Sequence, residues 1–262
     1  TRAEDYLDNL GRPVSFPLGD VSFADEVVSF SKGKPAAAEA NSLAADALGP
    51  PNFVKKAEAK YVTLGCGGTL TLRFTDNAVV DVEGPDLYVF EVGPAVEPTE
   101  LALSVDGANW VTVGKISGGR ADVDIAGVVD SKDAFHFARL TDLKSACSGR
   151  WPGADIDSVG ALGGGLVISL DSSVLSAVDK YVLKPQAAEA LRAAAQKLGE
   201  HPDARILVDG HTHSDGSTEH NLELSRNRAQ AVRAYLVTEA GIDPARMETR
   251  GHGESRPIAS ND

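Results

Sequence analysis

Positive charge is scarce in this chain. Its 262 residues hold 25 Lys+Arg against 38 Asp+Glu, a formal net charge of −13. A grip on nucleic acid needs a basic surplus to neutralise phosphates, so no nucleic-acid partner is expected, and an anionic lipid surface is disfavoured for the same reason. Long apolar runs are missing too. None reaches the ~18 residues of a spanning helix, so no transmembrane segment is expected. Cysteine is limited to Cys66 and Cys147, with no C-x-x-C and no finger-spaced histidine, which removes structural zinc. The two can close one disulfide in an oxidising compartment or stay as buried thiols. The chain also lacks a G-x-S-x-G elbow, a Walker loop and an H-E-x-x-H helix. Gly65-Cys66-Gly67-Gly68 is glycine-rich but has no Lys or Ser/Thr for phosphate, and a Cys66–His136 pair has nothing to position it. The start, Thr1-Arg2-Ala3-Glu4-Asp5, reads as a mature or trimmed end rather than a leader.

What is present suffices for two folded cores: 42% hydrophobic and 24% charged residues. The acidity is uneven. Residues 165–262 carry 11 Lys+Arg against 14 Asp+Glu, so most of the excess lies in front of them. The boundary is set at Gly163-Gly164-Gly165, where three residues without side chains give a hinge. Before it, short runs rich in Val, Leu, Thr and aromatics recur between Gly, Pro, Asn and Asp: 62–64, 69–74, 87–92, 101–105, 110–113, 122–125 and 135–140. That rhythm predicts an all-β sandwich over residues 1–163, with Asp106-Gly107 as a hairpin turn. Residues 33–52 read as a long loop with a helical turn near 41–47.

After the glycines the period alternates. Residues 166–170 predict a strand, and Pro185 opens a helix carrying Leu191, Ala194, Ala195 and Leu198. A strand over 204–208 follows, then a helix over 221–240 with the stripe Ala229, Val232, Leu236 and a stop at Gly241. A last strand covers 247–250. The order is βαβαβ, a small α/β sandwich with two helices on one face of a mixed sheet.

Polar residues gather where the second strand ends and the second helix begins: Gly210-His211-Thr212-His213-Ser214-Asp215, Asn221, and Leu224-Ser225 with Arg228-Ala229. A helix start favours a carboxylate, a guanidinium can grip one with two bonds, and a nearby acid would hold an ammonium group. Together they suit a zwitterion. His211, His213 and His220 lie close together, but the sequence marks no carboxylate or other group to orient their rings around a metal.

These segments, with Val182-Leu183-Lys184-Pro185, Gly241-Ile242, Arg246, and Gly251-His252-Gly253-Glu254 before Pro257, resemble the OmpA-like C-terminal family over about residues 166–262. The resemblance implies binding of the peptidoglycan stem peptide through diaminopimelate. Arg228 would take the carboxylate, and Thr212, Asn221 and Leu224 would line the pocket. Where the family has Asp after Gly-His-Thr, this chain has His213; Asp215 is the acid near enough in sequence to hold the ammonium group. The family usually continues with a further strand carrying Asn-Arg-Arg; this sequence stops at Asn261-Asp262, so it is either cut there or lacks that edge strand. The implied setting is the periplasm, outer membrane or cell surface of a diderm bacterium.

In the front part, Asp76, Asp81 and Asp86, with Asp155 and Asp157 further on, offer oxygens for Ca²⁺ or serve as turn and surface acids. Residues 16–20, 47–51, 86–91 and 151–157 resemble a bacterial cell-surface sandwich domain of jelly-roll layout, similar to discoidin or galactose-binding-like domains. That implies a glycan or protein ligand, with Trp110 and Trp151 able to stack on a sugar or to pack in the core. The expectation is therefore an α+β two-domain chain that binds and anchors without chemistry and requires no cofactor. Its rivals are a wall hydrolase with catalysis in the front domain, and a scaffold whose pocket His213 disables.

Overall fold

In the computed structural model, residues 3–53, 60–93, 96–118, 121–131, 133–167, 180–202, 204–212 and 216–254 are described. The chain divides into two compact units, Arg2–Gly164 and, in the main, Gly165–Asp262.

Among its described residues the front unit is built from strands and short 3-10 turns. They are β1 (Glu4–Leu7), β2 (Pro13–Phe16), β3 (Glu26–Ser31), β4 (Val62–Thr63), β5 (Thr69–Arg73), β6 (Asn77–Val80) and β7 (Leu87–Glu91). There follow β8 (Val96–Ser104), β9 (Trp110–Gly118), β10 (Asp122–Val123), β11 (Ala134–Phe135), β12 (Phe137–Asp142) and β13 (Asp155–Ala161). One antiparallel sheet runs β3-β5-β12-β8-β9 and another β10-β7-β13-β4. Leu70, Leu72, Leu101, Leu103 and Leu140 of the first share one buried cluster with Val62, Leu87, Val89, Ile156 and Val159 of the second. β12 alternates buried and half-buried positions, the mark of one covered face. β7 is buried on both faces. Leu87 and Val89 join the main core, while Tyr88 and Phe90 meet Phe16 and Phe23 beside the β1–β2 hairpin. The long loop over residues 33–52 carries 3-10 turns at Glu39–Asn41 and Ala44–Ala47.

Cys66 and Cys147 form a disulfide, which decides between the two readings of these residues and leaves Cys66 no free thiol for catalysis. The bond ties two loops that Asp142 also binds. Its carboxylate accepts from the amides of Gly67, Lys144 and Ala154. Asp106 shapes the β8–β9 turn by accepting from the amides of Ala108 and Asn109, and Gly107 takes φ +75°.

The back unit runs β14 (Gly164–Val167), α1 (Ala187–Glu200), β15 (Arg205–Gly210), α2 (Thr218–Thr238) and β16 (Met247–Gly251). β15 pairs in parallel with β14 on one side and with β16 on the other. The expected mixed sheet is thus parallel across these three strands, as strand–helix–strand crossovers require. Residues 168–170 of the first expected strand lie outside the described residues. α1 begins at Ala187 rather than Pro185, because Lys184 and Pro185 form a tight turn whose carbonyls accept from Ala187 and Ala188. α1 buries Ala187, Leu191, Ala194 and Leu198. α2 starts earlier than expected because Ser217 caps it, accepting from the His220 amide at 3.2 Å. Arg246 fastens the end of α1, donating to the carbonyls of His201 at 2.6 Å and Ala204 at 3.0 Å.

Candidate ligand-binding site

The buried face of α2 consists of Asn221, Ser225, Ala229, Val232 and Leu236. Toward the C-terminus it is apolar, as core packing demands. At the N-terminal end it turns polar while staying buried, with Asn221 1% exposed and Ser225 fully covered. Burying polar groups costs free energy unless they are bonded, so this end is built for contacts that apolar residues cannot make.

Glycines let the helix lie on the strand ends. A Cβ at Gly210 would stand 2.1 Å from the Ser225 carbonyl oxygen, and one at Gly251 would stand 2.5 Å from the Arg226 amide nitrogen. The segments leaving β15 and β16 then join. The His252 amide donates to the Gly210 carbonyl at 2.9 Å, and the Thr212 amide donates to the Gly253 carbonyl at 3.0 Å. Ser225 Oγ closes the arrangement, accepting from the Gly253 amide and donating to the Leu222 carbonyl.

Asn221, Leu224 and Arg228 follow at i, i+3 and i+7, a single stripe on α2. Leu224 is half-buried. Arg228 is also half-buried, and its Nε donates to the Lys180 carbonyl at 3.0 Å. Thr212 Oγ1 is buried and has no hydrogen-bond partner among the described residues. His213 and Asp215 lie outside the described residues.

The residue that sequence reasoning gave no role is Glu254. Its carboxylate accepts from Thr218 Oγ1 at 2.9 Å and from Asn221 Nδ2. The expected open helix start for a ligand carboxylate is therefore already faced by an anion, and among the expected residues Arg228 is left as the anion-binding group. The only sequence signal for Glu254 was its place in Gly251-His252-Gly253-Glu254.

Nearby, Asp209 Oδ1 stands 3.4 Å from His252 Nε2, and the His211 and His252 rings stack at 5.2 Å. Burial opposes ionisation of Asp209, but contact with His252, with help from Arg250 and His211, holds its carboxyl below the usual range. Among the described residues no histidine belongs to a cluster with metal-ligand spacing.

The front acids do not form one site. Asp81 and Asp86 come together with Asp124, their oxygens within 4.8 Å of one another, and Asp124 was not foreseen. Asp86 is fully buried and accepts from the Val82 and Ile125 amides; burial, then the charges of Asp81 and Asp124, push its carboxyl up. Asp155 and Asp157 stand apart from these three. Ile156 pairs with Glu91 while Ala161 pairs with Leu87, so Asp155 and Asp86 lie at opposite ends of paired strands. Asp155 instead accepts from Thr63, and Asp157 accepts from the Asn52 and Phe53 amides. Asp76 and Asp81 lie at opposite ends of β6. Trp151 is 44% exposed with Arg150 over its ring, whereas Trp110 is half-buried beneath the Arg139 guanidinium, 4.1 Å from the ring centroid.

The OmpA family model matches residues 177–262, within the back unit. The probable lipoprotein YiaD of Escherichia coli K12 is 36% identical over 104 residues, 40% of this chain and 47% of that protein. The peptidoglycan-associated lipoprotein of Pseudomonas aeruginosa is 39% identical over 82 residues, 31% of this chain and 48% of that protein. Among solved structures, the peptidoglycan-associated lipoprotein from Burkholderia pseudomallei is 37% identical, covering 33% of this chain and 72% of that chain, with a TM-score of 0.30. The chain spans less than half the length of these two curated relatives.

Proposed function

We propose that the back unit binds peptidoglycan non-covalently through the diaminopimelate residue of the stem peptide, and so anchors the front unit to the cell wall. The observation that carries this reading is the α2 stripe of Asn221, Leu224 and Arg228 beside the joined ends of β15 and β16. It offers an apolar contact and a guanidinium in a row, beside the buried Asn221. Arg228 takes the ligand carboxylate as a charge-assisted pair, Leu224 packs against the methylenes of the ligand, and Thr212 supplies a hydroxyl. The OmpA-family match and the relatives named for peptidoglycan association support the reading. The setting that goes with it is the periplasmic side of an outer membrane or the cell surface. The front unit is a binding domain, and the chain breaks no bond. Contact with one small end group gives modest affinity, and repetition of that group along a polymer raises the effective concentration.

Co-sedimentation with purified diaminopimelate-type sacculi tests this. The whole chain pellets with the sacculi, releases no soluble muropeptides, and stays in the supernatant when Arg228→Ala is introduced. Release of muropeptides would instead assign the chain a wall-cleaving activity, and equal pelleting of Arg228→Ala would remove the proposed contact.

A further inference from the structure

Among the described residues Glu254 has no counter-charge. Its carboxylate is half-buried and held by two neutral donors, Thr218 Oγ1 and Asn221 Nδ2. Among the described residues no Lys, Arg or His forms an ion pair with it. A carboxylate withdrawn from water normally finds a cation, so this one is poised to meet a positive group from outside the chain. Its place is fixed by the backbone before it. The Gly253 amide donates to Ser225 Oγ at 2.9 Å, the Gly253 carbonyl accepts from Thr212, and Gly253 has φ +56° with Leu222 N 3.1 Å from where a Cβ would stand.

Asn221 belongs to both arrangements: it bonds Glu254 and begins the stripe that ends in Arg228. The stripe thus has a negative end and a positive end. Seven residues of helix separate Asn221 from Arg228 by roughly 10 Å along the axis.

We propose that Glu254 is the acceptor for the ligand's ammonium group, and that the ligand lies along α2 with its ammonium at Glu254 and its carboxylate at Arg228. This rests on the reading that the site takes a diaminopimelate-type end group, and it assigns to Glu254 the role the sequence offered to Asp215. A carboxylate arriving at the negative end is repelled, so the pair also fixes which way round the amino-acid head group binds.

The test uses two stem tripeptides, one with diaminopimelate and one with 2-aminopimelate, which keeps the second carboxylate but lacks the second ammonium group. The whole chain binds the diaminopimelate peptide about tenfold more tightly. Glu254→Gln, which keeps the shape and an acceptor oxygen, binds both peptides alike. Glu254→Asp, which draws the charge back by one methylene, lowers the preference several-fold and is read if Glu254→Gln fails to fold by circular dichroism. An undiminished preference in the variant that is read overturns the proposal, as does a preference abolished by Asp215→Asn. Arg228→Ala separates the two readings: it weakens both peptides, and if it binds them like the wild type, the underlying site assignment has failed rather than the role of Glu254.

Discussion

Asn221 donates its side-chain amide to Glu254 across 33 residues of sequence, joining the first turns of α2 to the segment that leaves β16. Asn221 is buried and Glu254 is charged, so neither can lose the other cheaply. Asn221→Ala is expected to destabilise the back unit by about 2 kcal/mol, read from urea unfolding. Asn221→Asp places a second carboxylate against Glu254 and costs more than the alanine.

The approach of α2 to β15 depends on Gly210. Its Cβ position lies 2.1 Å from a backbone oxygen that belongs to the helix and cannot rotate away. Gly210→Ala is expected to cost about 3 kcal/mol and to weaken stem-peptide binding, because the helix must lift from the strand end. A crystal or solution structure of the variant should have α2 displaced from β15.

The disulfide lies within the front unit, its cysteines 81 residues apart. Cross-linking restricts the unfolded chain, and for a loop of this length the loss on reduction is about 4 kcal/mol. Calorimetry with and without reductant should lower the unfolding transition of the front unit and leave that of the back unit in place.

The front unit also holds buried acids whose neutral forms are favoured. Burial, then the charges of Glu97 and Asp155, outweigh the Glu97 amide and push Glu91 from 4.5 to about 9; burial, then the charges of Asp155 and Asp142, push Glu97 to about 7. Each carboxyl binds its proton more tightly folded than unfolded. The folded state therefore holds more protons between pH 4.5 and 9, and front-unit stability falls as pH rises through that window. The melting temperature of the front unit should drop by roughly 5 °C or more between pH 5 and 9. Glu91→Gln should flatten the slope; an unchanged slope contradicts the assignment.

Much of the back unit was legible because its signals are local. Leu191, Ala194 and Leu198 recur at helical spacing, and Gly241 ends α2 with φ +68°. The stripe ending in Arg228 follows from the same periodicity. Glu254 was not legible, because its partners sit on another element and nothing local in Gly-His-Gly-Glu predicts them. The start of α2 was misplaced because Ser217 caps it without the Glu or Gln three residues on that would complete a capping box; His220 stands there instead. In the front unit the hydrophobic run 87–90 identified β7, but not that its two faces meet different clusters. β6, which pairs with β11, and the joining of Asp124 to Asp81 and Asp86 depend on long-range contacts that short windows do not carry.

The most direct measurement is isothermal titration of the intact chain with a diaminopimelate-containing stem tripeptide, run beside Arg228→Ala. A saturable one-to-one isotherm is expected for the wild type, weakened about thirtyfold or more in the variant. Matching isotherms for the two proteins, or no binding by the wild type, would contradict the account.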